Sequence, residues 1–146
     1  MRPTKAFETA AASTQAWWSC PGLLYFLAVG SPPAAIKIGM LAVTPRNTVA
    51  TAMERRLSHI QSSNHEVVSV LGLIHYKDGR HPTKDAEDAE REFHVRFGHL
   101  ARFALGSRGA EWFNAGPELI AEIALVARPP EDFGVSRTVA RPVLHR

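Results

Sequence analysis

Apolar and polar residues change period several times along the 146-residue chain. The run "LLYFLAV" (23–29) is continuously apolar between Pro21-Gly22 and the turn-forming "GSPP". It predicts a well-buried strand. "AAIKIGM" (34–40) alternates instead, with Ile36 and Ile38 on one side and Lys37 on the other, which predicts a second strand at hairpin distance. "TPRNTVATAMERRLSHIQ" (44–61) switches to helical spacing. Val49, Met53, Leu57 and Ile60 form its stripe, with Thr44 or Asn47 as the expected cap.

"EVVSVLGLIHY" (66–76) is β-branched and reads as a third strand. "KDGRHPTKD" is a polar turn, and "DAEDAEREFHVRFGHL" (85–100) a second amphipathic helix. "GAEWFN" (109–114) is a short extended piece, and "GPELIAEIALVA" (116–127) a last helix opened by Gly116-Pro117. The order β-β-α-β-α-(β)-α predicts a small mixed α+β domain. It occupies residues 21–128, between an N-terminal arm (1–20) and a C-terminal tail (129–146) expected to be flexible.

Composition narrows the classes. Hydrophobic residues make up 45% of the chain, enough for one ordinary domain with a core. One cysteine, Cys20, excludes an intramolecular disulfide framework and a cysteine-rich metal site, so a reducing, cytoplasmic setting is the expectation. No apolar run approaches the roughly 20 residues that span a bilayer, so no membrane role is expected. Glycine-rich phosphate loops are missing, which argues against a nucleotide cofactor. The formal net charge of +3 is compatible with a nucleic-acid partner, but no lysine block concentrates it.

The second helix poses a question. At about 100° per residue, Ala86, Ala89, Phe93, Phe97 and Leu100 share a side, and Glu90 falls roughly 60° from its middle. Asp88 and Glu92 point into solvent. An ionised carboxylate at the rim of a buried face is costly unless paired, hydrogen-bonded or metal-bound. A rim Glu whose head reaches water, a Glu–Arg pair and a metal ligand all satisfy that geometry. Arg56 likewise lies beside the apolar stripe of the first helix, while Arg55 points away; it either snorkels or presents a forked donor to phosphate. With Tyr25 and Lys37 on the hairpin, a phenol, an ammonium, a guanidinium and a carboxylate could converge. That set suits phosphodiester hydrolysis.

In order, the segments Tyr25-Phe26-Leu27, Lys37-Ile38-Gly39, "RLSHIQ" (56–61), "EREFHVRF" (90–97) and "GAEWF" (109–113) resemble the GIY-YIG nuclease superfamily, in particular its bacteriophage-type branch. The resemblance covers roughly residues 22–125. It implies a three-stranded antiparallel sheet and metal-dependent DNA cleavage, as an endonuclease or nicking domain of phage or mobile-element type. It implies Tyr25 as base or water-positioner, Arg56 on the scissile phosphate, and Glu90 as ligand to Mg2+ or Mn2+. Lys37 stands where the wider superfamily has a second tyrosine. Arg55, Arg56, Lys37 and His94 complete the set expected at the substrate. A homodimer or a protein partner is a further expectation, because so small a nuclease usually needs extra grip on DNA. The rival reading is a non-catalytic DNA-binding or protein-interaction module on the same scaffold.

Overall fold

A computed structural model describes residues 10–104 and 111–139. Residues 1–9 of the expected arm, Gly109-Ala110 of the "GAEWF" motif, and residues 140–146 of the expected tail lie outside them. The described elements are α1 (Ala12–Trp18), β1 (Gly22–Val29), β2 (Ala35–Ala42), α2 (Val49–Gln61), β3 (Val68–Tyr76), α3 (Pro82–Arg96), β4 (Trp112–Asn114) and α4 (Pro117–Val126). Short 3-10 turns follow α3 and α4.

The fold is α+β, and the sheet has four antiparallel strands in the order β3-β1-β2-β4. The expectation of three is corrected by the parenthesised piece. Trp112, Phe113 and Asn114 pair with Lys37, Ile36 and Ala35 on the outer side of β2. Three residues carry too little alternation to announce a strand; the partner's hydrogen-bonding edge makes it one.

β1 lies second in the sheet, flanked by β2 and β3, and is buried from Leu23 to Ala28, as its unbroken apolar run requires. One face gathers Leu23, Tyr25, Leu27, Leu41 and Val70 under Met53 and Leu57 of α2. The other gathers Leu24, Phe26, Ile36 and Ile38 under Phe97 of α3 and Leu119 and Ile123 of α4. Burying roughly 1.5–3 kcal/mol of apolar side chain at each such position dominates the fold's stability.

Two local readings are corrected. α2 is capped by Thr48, not by Thr44 or Asn47: Thr48 and Thr51 form a reciprocal capping box. α3 begins at Pro82, inside the expected turn, because Pro82 supplies a first-turn proline while Thr83 bonds back to the carbonyl of Cys20 (N···O 3.0 Å, Oγ1···O 2.7 Å).

The flanks are tied down where described. Trp18 of α1 lies under the Lys84 ammonium, 4.8 Å from ring centroid to Nζ. The segment read as a flexible tail packs on β3 as far as residue 139. Val70 N–H donates to Arg137 O (2.7 Å), Leu73 exchanges bonds with Arg128, and Val135 is buried. Pro129-Pro130 and Gly134 rule out a regular element, but not a covered edge.

Candidate functional site

The site grows from a gap in the sheet. β4 faces only Ala35–Lys37, and the ladder ends where Ile38 N–H donates to Glu111 O (3.0 Å). Past that point, among the described residues, β2 has no strand on its outer side. α2 crosses one face of this bare edge and α3 the other.

On the α2 face, Gly39 sits opposite Tyr25 in register. A Cβ at residue 39 would overlap the Tyr25 ring, so glycine is what allows the phenol to lie across β2. The Tyr25 hydroxyl emerges beside Arg56, whose Nη1 donates to it (2.9 Å) and also to Met40 O (3.3 Å). The capping box sets the start of α2, and that fixes where Arg55 and Arg56 project. Burial pushes the Tyr25 phenol up to about 12, against the opposing pull of Arg56. At neutral pH it is therefore a proton donor.

These groups line a cleft of about 680 Å³, which holds Tyr25, Lys37, Arg55, Arg56, His59 and Glu111. Lys37 Nζ is 2.5 Å from Glu111 Oε1 and lies over the Trp112 ring. Arg55, assigned by the helical wheel to the far side, lines the cleft as well. Helix faces are wide, and a long side chain at the wheel's margin reaches round.

On the α3 face, the position of Glu90 follows from the helix start. Gly22 lets the backbone of Thr83 approach closely: a Cβ there would lie 2.9 Å from Thr83 Cα. Three turns on, Phe93 meets Phe26 edge-on at 5.1 Å. The Nε2–H of His94 donates to Ile38 O (2.9 Å), and its ring packs on Phe113. His94 is thus a strut that fixes α3 across β2 through Nε2, and it also lines the hollow that holds Glu90.

Glu90, one turn before His94, is half-buried and lines a second hollow of about 1060 Å³ with Glu87, Arg91, Arg102, Phe103 and Phe113. It does not line the tyrosine–arginine cleft. Its carboxyl nonetheless responds to that cleft. Burial pushes it up to about 7, Glu111 and Glu87 add to the rise, and Lys37 and Arg56 oppose it. The structure therefore brings Tyr25, Lys37, Arg55 and Arg56 into one cleft. Glu90 lines the other hollow, yet its charge acts on Tyr25 and it feels Glu111, Lys37 and Arg56 directly.

Among the described residues no three His, Cys, Asp or Glu side chains gather into a group that could hold a metal ion. Mg2+ and Mn2+ favour oxygen donors, and Mg2+ commonly takes one or two carboxylates, keeps several waters and shares substrate phosphates. Glu90, near enough to Glu111 for their charges to oppose, fits that mode. Sequence reasoning overlooked Thr44, Asn47 and His59 as cleft residues; a turn and a helix margin give no periodic signal. Asn114 pairs with Ala35 at the other end of β4 and does not line the cleft. No helix among the described residues is long and apolar enough to cross a membrane.

Comparison of the chain with protein-family models, with characterised proteins and with solved structures gives no match, so these residues are read on their own chemistry.

Proposed function

We propose that the protein is a metal-dependent DNA endonuclease or nicking domain of the GIY-YIG kind, hydrolysing phosphodiester bonds at the bare edge of β2. The observation that carries this reading is the Tyr25–Arg56 pair at the wall of an open cleft. Arg56 uses one Nη1 on the phenol and a carbonyl, which leaves guanidinium N–H groups for a forked grip on phosphate. Tyr25 accepts from Arg56 with its oxygen and keeps its own proton to donate. It would hold a water or a phosphate oxygen in line rather than act as the base, the role left open by the resemblance.

Mg2+ or Mn2+, held by Glu90 together with substrate oxygens, would polarise the phosphoryl group and stabilise the leaving oxygen. Glu90 must shed its proton to act as a ligand, and a value near 7 allows this at mildly alkaline pH. Hydrolysis consumes one water: its oxygen bonds to phosphorus, the bond to one sugar oxygen breaks, and that oxygen takes up a proton.

The test is cleavage of plasmid, branched and single-stranded DNA by the full chain with Mg2+ or Mn2+. The wild type should cut. Glu90→Ala should not, while keeping its fold and most of its DNA affinity in EDTA. Wild-type protein that leaves all three substrates intact under both metals ends the enzyme reading.

Two observations favour the rival, a non-catalytic DNA-binding or protein-interaction module. Glu90 lines the adjoining hollow, and Lys37 is tied to Glu111. Salt-dependent DNA binding without metal-dependent cutting would select it.

A further inference from the structure

A second hollow of about 500 Å³ opens beside the cleft, lined by Thr44, Pro45, Arg46, Asn47 and Arg55. Thr44, Asn47 and Arg55 line both, so the two are continuous. Between β2 and α2 the chain makes a turn that is held from within. Asn47 N–H donates to Thr44 O (2.9 Å), Asn47 Nδ2 donates to Thr44 Oγ1 (2.8 Å), and the Thr48–Thr51 box closes the helix start. Arg46 stands on a fixed turn and Arg55 on a helix; neither rides on a loose loop.

The charges here differ from those of four arginines elsewhere, although Lys77, Arg80 and Arg102 likewise hold no carboxylate among the described residues. Arg91, Arg96, Arg128 and Arg137 each hold a carboxylate, with contacts between 2.7 and 3.4 Å. Arg46 and Arg55 have no ion pair or hydrogen bond to any described residue. The first turn of α2 carries no acid. Across both hollows, four cations (Lys37, Arg46, Arg55, Arg56) face a single carboxylate, Glu111. Leaving guanidinium groups together and unneutralised is unfavourable within the molecule and is relieved by an external polyanion.

We propose that the cleft continues past Arg56 into a second phosphate-binding subsite, built from Arg46 and Arg55 around the Thr44–Asn47 turn, so that it grips a run of DNA backbone rather than one phosphoester. This rests on the nuclease reading for the identity of the polyanion. The shared chemistry is the phosphodiester backbone, and RNA carries it too. Arg56 holds the phosphate beside Tyr25, and Arg46 and Arg55 hold the strand on one flank. The subsite supplies register and affinity without base contacts, so binding through it is indifferent to sequence.

The test measures binding of a labelled DNA duplex to the full chain by fluorescence anisotropy, in EDTA so that nothing is cut, over a series of NaCl concentrations. Each lost phosphate contact should lower the slope of log affinity against log salt by roughly 0.9. The double variant R46Q/R55Q should lose close to two such steps and bind about tenfold more weakly near 0.1 M salt. R128Q removes an equal charge from outside the cleft and should bind like wild type. Circular dichroism melts check that each variant folds; should R46Q/R55Q melt early, the single variants R46Q and R55Q replace it, and each should lose close to one such step, a wild-type slope in both overturning the subsite.

A wild-type slope in folded R46Q/R55Q overturns the subsite. So does an equal loss in R128Q. A slope change seen with an RNA of the same sequence but not with DNA overturns the DNA assignment. The outcomes separate from those of the nuclease test. Protein that never cuts but shows the slope change keeps the subsite and loses the enzyme, and cutting with an unchanged slope does the reverse.

Discussion

The two sides of β2's bare edge differ in kind. On the α2 side the lining is cationic, and its phenol is locked to a guanidinium across a glycine gap. On the α3 side a carboxyl is held against an aromatic wall by a helix whose course is fixed at its start by Thr83 and near its end by His94. The first side is organised to receive negative charge. The second keeps its negative charge half-protonated near pH 7. One strand edge thus separates a cationic surface from a half-buried carboxyl, and the Lys37–Glu111 ion pair lies on the cationic side. A phosphodiester with its metal ion would complete both sides at once.

The comparison breaks most decisively at the carboxyl. Glu90→Ala should remove several kcal/mol of charge stabilisation with its ion, a loss of about a thousandfold or more in cleavage rate. DNA affinity in EDTA, set by the other side, should change little. A gel assay for cleavage and anisotropy for binding read the two sides separately. Arg56→Ala should cost about 10²–10³-fold in cleavage and should weaken binding too. Equal effects of both changes on binding would erase the distinction between the sides.

Gly39→Ala tests the gap itself. The new methyl overlaps the Tyr25 ring, which must shift, at a cost of about 1–3 kcal/mol in a chemical-denaturation experiment and with loss of the Arg56 contact.

pH sharpens the comparison. On the proposed nuclease reading, cleavage at limiting metal should rise about tenfold per pH unit below 7 and level off above it, because Glu90 would ligate an ion only when ionised. The stability effect has the opposite sense. The folded-state value of Glu90 lies above its ordinary one, so its favourable contribution is complete below the ordinary carboxylate range and is lost as pH rises through about 7. Glu90→Gln should therefore be the more stable protein at pH 8, by about 1 kcal/mol once the part-exposure of the carboxyl is allowed for.

The smallest effect is expected at the Lys37–Glu111 pair. Glu111→Gln removes the largest neighbouring charge that raises Glu90 and should move the midpoint of the cleavage profile to lower pH by less than about one unit. Lys37→Met should move it the other way. Two profiles that coincide with wild type would show that the sides do not communicate.

Much of this arrangement was legible in the chain. The unbroken apolar run of β1, the alternation of β2 and the stripe of α2 are single-element signals, and each element lies where its period put it. Glu90 was noticed because a polar residue on an apolar margin breaks a period. Tyr25 and Arg56 stood out as polar groups on elements otherwise given to the core. Other features had no such mark. β4 is three residues long, the covering of β3 by residues 129–139 follows a Pro-Pro sequence that reads as irregular, and the Thr44–Asn47 turn has no period at all.

The sequence by itself determined which segments are strands and helices, their α+β order, and the four chemically distinct side chains Tyr25, Lys37, Arg56 and Glu90. These follow from local periodicity and from the cost of placing charge near apolar surface. The fourth strand, the placing of Arg55 in the cleft, the use of His94 as a strut, and the lining of a different hollow by Glu90 emerge only on packing. Those depend on strand register and on the angles at which α2 and α3 cross the sheet. Such quantities arise when distant segments pack, and no window of neighbouring residues contains them.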